Sequence, residues 1–86
     1  MYRIEYESSV VEEDIPALPK AIHGRIRKAI EEKLVNAPVS FGKPLQYSMK
    51  GLRRLRVGNY RIIFAIEEAQ KTVVILKIGH RREVYE

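Results

Sequence analysis

The sequence predicts an α+β fold in which two N-terminal helices pack on one face of a small, mostly antiparallel sheet. Residues 2–7 alternate between apolar and polar side chains, which is typical of a half-buried strand. Residues 9–36 carry apolar side chains at helical spacing, interrupted by proline, and residues 52–79 return to strand-like patterns separated by short turns. The predicted order of elements is therefore β-α-α-β-β-β.

Length and composition favour a single domain over residues 1–86. The chain has 86 residues, 45% of them hydrophobic, which is enough for one small core and too few for two. There is no cysteine, so neither a disulfide framework nor a cysteine-based metal site can form. The longest apolar run, 62–66, is too short to span a membrane, and we expect a cytoplasmic protein that needs no cofactor or metal.

The first helix is predicted to begin at Ser9, because Ser9-Val10-Val11-Glu12 has the form of a capping box. Pro16 lacks a backbone donor, so this helix should be short or bent near its end. Pro19 suits the first turn of a second helix, which is predicted to end at 36–38. The apolar residues of the second helix form one stripe that we expect to face the core: Ile22, Ile26, Ala29, Ile30 and Leu34.

The rest of the chain reads as a loop followed by three strands. Residues 38–47 contain two prolines and one glycine and are predicted to form the loop. Strands are predicted at 52–57 and 60–67, and the glycine that begins the Gly58-Asn59 connection favours a type II′ turn. The run at 72–79 is apolar on both faces, which is typical of a central strand covered on both sides.

Positive charge is concentrated in the second half of the chain. The formal net charge is +5, and residues 37–86 carry ten basic residues against four acidic ones. The stretch 43–61 contains six basic residues and no acidic one. Such a surface attracts a polyanion, although a basic face that only keeps the protein soluble would give the same composition.

The two-residue turn at 58–59 fixes which side chains share a face of the hairpin. It places Arg56 directly opposite Arg61, so that Arg54, Arg56 and Arg61 should cluster on the face away from the helices. Like charges directly across a strand pair are destabilising. We interpret the cluster as a phosphate-binding site, because forked guanidinium donors match phosphate oxygens; side chains that simply extend into water are the alternative.

The C-terminal segment 79–85 adds further functional side chains at the end of the central strand. His80 adds an imidazole, Arg81 and Arg82 add positive charge, and Tyr85 can stack on a base or donate a hydrogen bond. We expect this segment to lie beside the arginine cluster. Taken singly, a surface histidine and a tyrosine near a terminus are more often ordinary packing residues.

Three stretches carry a family resemblance that covers nearly the whole chain. They are D-I-P-A-L-P-K at 14–20, K-G-L-R-R-L-R-V-G-N-Y-R-I-I-F at 50–64 and I-G-H-R-R-E-V-Y at 78–85. Together they are similar to signature segments of the RelE/ParE superfamily of bacterial and archaeal toxins from type II toxin–antitoxin pairs. The resemblance implies a RelE-like fold and a cognate, RelB-like antitoxin as partner.

The RelE branch, which the chain resembles more, implies a ribosome-dependent endoribonuclease that cuts mRNA in the ribosomal A site by metal-free 2′-OH attack. Ribosome and mRNA are then further partners. The family's cleavage site combines basic residues on the sheet with an arginine and a tyrosine near the C-terminus. By motif these positions are Arg61, Arg81 and Tyr85.

Arg54 and Arg56 stand where RelE relatives often carry two lysines. Arginine binds phosphate but is a poor proton carrier. Related ribosome-dependent members of the family use a histidine near the C-terminus, so the resemblance implies His80 as a candidate proton acceptor. The substitution slightly favours the alternative reading, a non-catalytic ParE-like toxin that inhibits DNA gyrase. If the RelE reading holds, docking contacts to ribosomal RNA are expected at Lys43, Lys50, Arg53 and Arg82.

Overall fold

In residues 1–45 and 51–84, which the computed structural model describes, five strands form one sheet. The strands are β1 (Arg3–Tyr6), β2 (Lys43–Pro44), β3 (Arg53–Val57), β4 (Tyr60–Glu67) and β5 (Thr72–His80). Their spatial order is β1-β5-β4-β3-β2, with β1 parallel to β5 and every other pair antiparallel. The predicted α+β class is confirmed, and the last strand lies inside the sheet, between β1 and β4, as predicted. The expectation that it is covered on both sides is wrong, because Val74 and Leu76 are only partly buried and Lys77 is exposed.

Helical segments occupy the chain between β1 and β2. In order they are a π-helical turn (Val10–Asp14), α1 (Ile15–Ala17), α2 (Lys20–Ala29), a second π-helical turn (Ile30–Leu34) and α3 (Pro38–Phe41). Leu18 has extended backbone, with φ −75° and ψ 140°, because it precedes Pro19, and this residue separates α1 from α2. No helix within the described ranges is long and apolar enough to cross a membrane.

The predicted capping box at Ser9 does not form. Ser9 already has helical backbone, with φ −62° and ψ −32°, whereas a capping residue needs an extended conformation to direct its hydroxyl at the first turn. The carbonyl of Glu7 accepts the first backbone N–H groups instead, those of Val10 and Val11. The first helical segment therefore lies where it was predicted but begins by a different contact.

The loop predicted at 38–47 is also wrong in its described part, which contains α3 and β2. Pro38 supplies the fixed φ that a first helical turn accepts. Pro44 lies in the edge strand of the sheet, where proline is tolerated. Residues 46–50, which include the end of this predicted loop, lie outside the described residues.

The core lies between the helices and one face of the sheet. The predicted apolar stripe of the second helix is confirmed, with Ile26, Ala29, Ile30 and Leu34 buried and Ile22 packed against them. The sheet contributes a buried set to the same core: Leu55, Ile62, Phe64, Val73, Ile75 and Ile78. Burial of each large side chain contributes about 1.5–3 kcal/mol, so this face of the sheet is firmly held by packing.

The β3–β4 hairpin has the predicted register. Val57 pairs with Tyr60 and Arg56 with Arg61. Gly58 has a φ of 59°, the left-handed value that a type II′ turn requires at its first central residue. The turn therefore sets the register on which the arginine cluster depends.

A β-bulge in β5 reverses the alternation of faces near the C-terminal end of the strand. Phe64 pairs with Ile75 while Ile63 pairs with Lys77, which leaves Leu76 as an extra residue in β5. Because of this extra residue, Ile75 and Ile78 both face the helices. The residues beyond the bulge thus lie on the faces opposite to those that strict alternation would give them.

The carboxylate of Asp14 closes the edge of β5 where β1 ends. The last pair of the β1–β5 ladder is Tyr6 with Ile75. Beyond it, the buried Asp14 accepts the backbone N–H of Ile78 at 2.9 Å and the Lys77 ammonium group at 3.0 Å. This contact fixes the end of β5, from which the C-terminal turn departs.

Candidate nucleic-acid interface

The face of the sheet that points away from the helices carries the three arginines predicted to cluster. Arg56 lies directly opposite Arg61, and Arg54 lies two residues before Arg56 on the same side of β3. The intervening pair, Leu55 and Ile62, is buried on the helix side, so the pleat directs the arginines to the other side. The surface formed by Arg54, Arg56 and Arg61 is termed the arginine face below.

The three guanidinium groups lie within electrostatic range of one another. The pKa of Arg54 is lowered, mainly by partial burial of its side chain, and the positive charges of Arg56 and Arg61 lower it further. A guanidinium group still stays protonated in proteins, so the lowered pKa reports crowding of positive charge and not a neutral side chain. Such crowding favours a bound anion, and forked guanidinium donors suit phosphate oxygens.

The C-terminal turn folds back beside Arg61. The exposed Arg81 is anchored at the hairpin tip, because its backbone N–H donates to the Asn59 carbonyl at 2.8 Å. The Arg61 Nη1 group donates to the Val84 carbonyl at 3.5 Å. The buried Val84 lies over Gly79, where an added Cβ would come within 2.8 Å of Val84 Cγ2. Gly79 thus leaves the space that lets the turn reach the arginine face.

His80 lies on the opposite side of the sheet from the arginine face, contrary to expectation. It pairs with Tyr60, and the two rings meet edge to face with centroids 5.4 Å apart. Tyr60 packs against the core, so both rings are on the helix side. The physical reason is the bulge at Leu76, since strict alternation from the buried Ile75 would have placed His80 beside Arg61.

Arg82 lies beside His80 and away from the arginine face. A cleft of about 340 Å³ on the helix side is lined by both residues, together with Asp14 and Tyr60. The backbone N–H of Arg82 donates to His80 Nδ1 at 3.2 Å, which leaves Nε2 to carry the proton in the neutral ring. The predicted site residues of the C-terminal segment are therefore divided between the two faces.

Arg53 has a structural partner in place of the predicted RNA contact. Its Nη2 group donates to the carbonyls of Val39 at 3.0 Å and Gly42 at 2.7 Å, at the end of α3. It pairs with the buried Phe64 and so lies on the helix side of β3. The guanidinium group of Arg53 thereby ties α3 to the sheet.

The remaining predicted positions are only partly described. Lys43 is exposed on β2 and pairs with Arg54, so it extends the positive surface towards the sheet edge. Lys50 and Tyr85 lie outside the described residues. Within 1–45 and 51–84, no group of three or more histidine, cysteine, aspartate or glutamate side chains is arranged to hold a metal ion.

Two residues that the sequence did not single out, Lys33 and Phe41, join this surface. Together with Lys43, Arg54, Leu55 and Arg56 they line a cleft of about 380 Å³. The signal in the sequence is an aromatic residue, Phe41, beside the turn-forming residues Ser40 and Gly42. In the structure 47% of Phe41 is exposed, which no sequence pattern indicates. No periodicity in the sequence indicates that positions 33, 41 and 54 are close in space.

Comparisons with known proteins agree with this architecture. Residues 2–85 match the family described as ParE toxin of type II toxin-antitoxin system, parDE. Toxin RelG of Mycobacterium tuberculosis is 33% identical over 72 residues, which cover 84% of this chain and 83% of that protein. The similarity thus extends over most of both chains.

Solved structures show the same relationship. The toxin–antitoxin complex RelBE2 of Mycobacterium tuberculosis superimposes with a TM-score of 0.84 and 30% identity, over 93% of this chain and 98% of that chain. The archaeal RelE–RelB complex of Pyrococcus horikoshii OT3 gives a TM-score of 0.68 and 30% identity, over 96% and 98%. The chain therefore belongs to the RelE/ParE superfamily and is a toxin of a type II toxin–antitoxin system, in the RelE family.

Proposed function

We propose that this toxin is a ribosome-dependent endoribonuclease that cuts mRNA in the A site without a metal ion and so inhibits translation. The observation that carries the proposal is the arginine face, where Arg56 and Arg61 lie directly opposite each other with Arg54 beside them. A structural surface seldom concentrates cations in this way, because the arrangement costs stability. A phosphate group bound between the guanidinium groups reduces the repulsion, because forked guanidinium donors match its oxygens.

The reaction uses the hydroxyl group of the RNA itself. The 2′-oxygen loses its proton and attacks the adjacent phosphorus in line, while the bond from phosphorus to the 5′-oxygen breaks and that oxygen gains a proton. The products are a 2′,3′-cyclic phosphate and a 5′-hydroxyl end. The transition state carries additional negative charge on the phosphorus oxygens, and each preorganised donor aimed at such charge contributes about 3 kcal/mol. Arg56 and Arg61 fill this role, and Arg81 stabilises the leaving side.

Proton transfer needs a group other than the arginines, because a guanidinium group does not give up its proton in proteins. We leave His80 out of the reaction, since the sheet separates it from Arg61. Tyr85 takes the role that the family resemblance gives it: it stacks on or orients the displaced base and helps move the proton. In-line geometry is rare in free RNA, and a ribosome that holds the message supplies it.

The surrounding charges fit docking onto ribosomal RNA. Lys43 and Lys50 are proposed contacts to phosphates, and Arg82 a third on the other side of the sheet. Arg53 is withdrawn from this set, because its guanidinium group holds the end of α3. A toxin acting on ribosomes works in the cytoplasm.

The proposed partner in the silent state is a RelB-like antitoxin. The two complexes described above contain RelB-type antitoxins bound to chains that are 30% identical to this one. The net charge of +5 suits an acidic partner, and opposite charge accelerates association. Co-expression with the neighbouring reading frame, followed by purification of a stable complex, tests this part of the proposal.

The nuclease activity is tested by adding purified toxin to ribosomes that hold a defined message, with and without EDTA. The expected result is cleavage within the A-site codon, unaffected by EDTA, with 5′-hydroxyl ends that polynucleotide kinase can label. Naked message should stay uncut at the same toxin concentration. Cleavage that requires a divalent ion or leaves 5′-phosphate ends would contradict the proposed chemistry.

A ParE-like inhibitor of DNA gyrase is the second candidate. The matching family is described as a ParE toxin, and Arg54 and Arg56 replace the lysines common among RelE relatives. A gyrase supercoiling assay separates the two functions. Inhibition of supercoiling by toxin that leaves ribosome-bound message intact would favour this candidate over the nuclease.

A further inference from the structure

We infer that the edge of β3 carries a second RNA-binding site, in which one base stacks on Phe41 and the backbone phosphates lie between Lys33 and Lys43. The site is the cleft of about 380 Å³ that these residues line with Arg54, Leu55 and Arg56, and it is termed the edge cleft below. The inference rests on the proposed RNA substrate for the identity of its ligand. It adds a nucleotide-binding position beyond the arginine face.

The edge cleft is continuous with the arginine face. Arg54 and Arg56 belong to both, whereas Leu55 points to the helix side of the same strand. Within the described ranges the edge strand β2 pairs only with Arg53 and Arg54, so the cleft opens along the edge of β3 beyond β2, next to Leu55 and Arg56. An RNA strand leaving the arginine face can therefore pass around the edge of β3 without losing contact with positive charge.

Phe41 provides a rigid aromatic surface in this cleft. Its side chain is 47% exposed, which is unusual for a large apolar ring, and the Lys33 Nζ group lies 5.7 Å from the ring centroid. The short helix α3 that carries it is fixed by the bonds from Arg53 to Val39 and Gly42. Lys33 lies over one face of this fixed ring, and the ring surface that stays exposed is the kind of platform on which single-stranded bases stack.

The charged side chains that line the edge cleft among residues 1–45 and 51–84 are all positive: two lysines and two arginines. Glu32 precedes Lys33 in sequence, but its carboxylate lies 4.0 Å from the Lys28 ammonium group, outside the cleft lining. An acidic peptide with an apolar side chain would also fit the cations and the ring. A nucleic acid is favoured because the edge cleft continues the arginine face, which we propose binds RNA phosphates.

The test measures binding of a labelled single-stranded decaribonucleotide by fluorescence anisotropy over a range of salt concentrations. Phe41→Ala and Phe41→Leu should weaken binding at least about fivefold through lost stacking, with the salt dependence unchanged. Lys33→Ala should instead reduce the slope of log affinity against log salt by about 0.7, the value for one phosphate contact on a single strand. Phe41→Leu guards against misfolding, because it keeps an apolar side chain and removes the ring.

Matched controls lie on the same elements. Val39→Ala removes another exposed apolar side chain of α3, 59% exposed, and Lys20→Ala removes an exposed cation of α2 outside the cleft; neither should change affinity or slope. Equal binding by Phe41→Leu and the unchanged protein would overturn the inference. The inference would also be overturned if the Phe41 variants lost as much affinity for polyglutamate as for the oligoribonucleotide, because the cleft would then bind acidic peptides equally well. If the binding results are as expected but ribosome-bound message is not cleaved, the proposed nuclease activity is wrong and the RNA-binding site at the edge cleft is still supported.

Discussion

Arg56 lies directly opposite Arg61 across the β3–β4 hairpin, so two permanent cations share one position along the sheet. The pair exists because the turn at Gly58 fixes the register, and its positive charge extends to Arg54, whose pKa is lowered by burial and by both neighbours. This concentration of positive charge is what an anion-binding surface requires. It also predicts a measurable repulsion in the free protein.

A double-mutant cycle measures that repulsion. Arg56→Ala, Arg61→Ala and the double variant should give an unfavourable coupling energy of about 0.2–1 kcal/mol in urea unfolding at low salt. The coupling should shrink as salt is added, because the charges are partly solvated. A favourable coupling, or one independent of salt, would mean that the two guanidinium groups do not repel each other.

Gly79 is predicted to be essential for the position of the C-terminal turn. Gly79→Ala should cost about 1–3 kcal/mol of stability, because the new Cβ would lie 2.8 Å from Val84 Cγ2. Gly24→Ala is the matched control: it lies inside α2 with nothing within 4 Å of the new Cβ, and should stabilise by about 0.5–1 kcal/mol.

Urea unfolding followed by circular dichroism compares the two glycine variants. Addition of Val84→Ala to Gly79→Ala should restore part of the lost stability, since it removes the clashing methyl group. Equal effects of Gly79→Ala and Gly24→Ala would show that Val84 does not lie over Gly79.

The placement of His80 predicts which variants retain activity. His80→Ala should cut ribosome-bound message at nearly the rate of the unchanged toxin, because the sheet separates the imidazole from Arg61. Tyr85→Phe should be slower by about 10²–10⁴-fold if the phenol moves a proton, the range for general acid–base catalysis. Single-turnover cleavage rates on ribosomes give both values. A slow His80→Ala variant together with a fully active Tyr85→Phe variant would show that His80, and not Tyr85, takes part in proton transfer.

Tyr2 predicts a loss of stability at alkaline pH. Its hydroxyl donates to Glu68, which raises the pKa of Tyr2 above the ordinary 10.0; burial and the negative charge of Glu68 add to the effect, while Lys71 opposes it. Because the folded pKa is the higher one, the stabilisation is complete below pH 10 and is lost as pH rises through the raised value. Urea unfolding at several pH values compares the unchanged protein with Tyr2→Phe. The unchanged protein should be the more stable below pH 10, and the difference should disappear as the Tyr2 hydroxyl ionises. A stability difference that does not change with pH would argue against the hydrogen bond to Glu68.

The parts of the fold that depend on local patterns could be predicted from the sequence. The apolar stripe from Ile22 to Leu34 and the register set by Gly58 needed only helical periodicity and turn chemistry. Strand alternation also puts Arg53 on the same side as Leu55, which faces the helices, so the predicted RNA contact at Arg53 conflicted with the strand pattern itself.

Other parts of the site depend on tertiary structure. The bulge at Leu76 decides the side on which His80 lies, and no turn residue marks it in the sequence. The edge cleft joins Lys33 on a helical turn, Phe41 on α3 and Arg56 on β3, and only the packing of α3 on the sheet makes them neighbours.

Cleavage of ribosome-bound message by an arginine-face variant shows whether Arg61 stabilises the transition state. Toxin carrying Arg61→Ala, shown to be folded by circular dichroism, is added to ribosomes with a defined codon in the A site, and message ends are mapped. Arg27→Ala, which removes an exposed arginine of α2, is the matched control. We expect a rate about 10²–10³-fold lower for Arg61→Ala and an unchanged rate for Arg27→Ala. Cleavage by folded Arg61→Ala at the rate of the unchanged toxin would contradict this expectation.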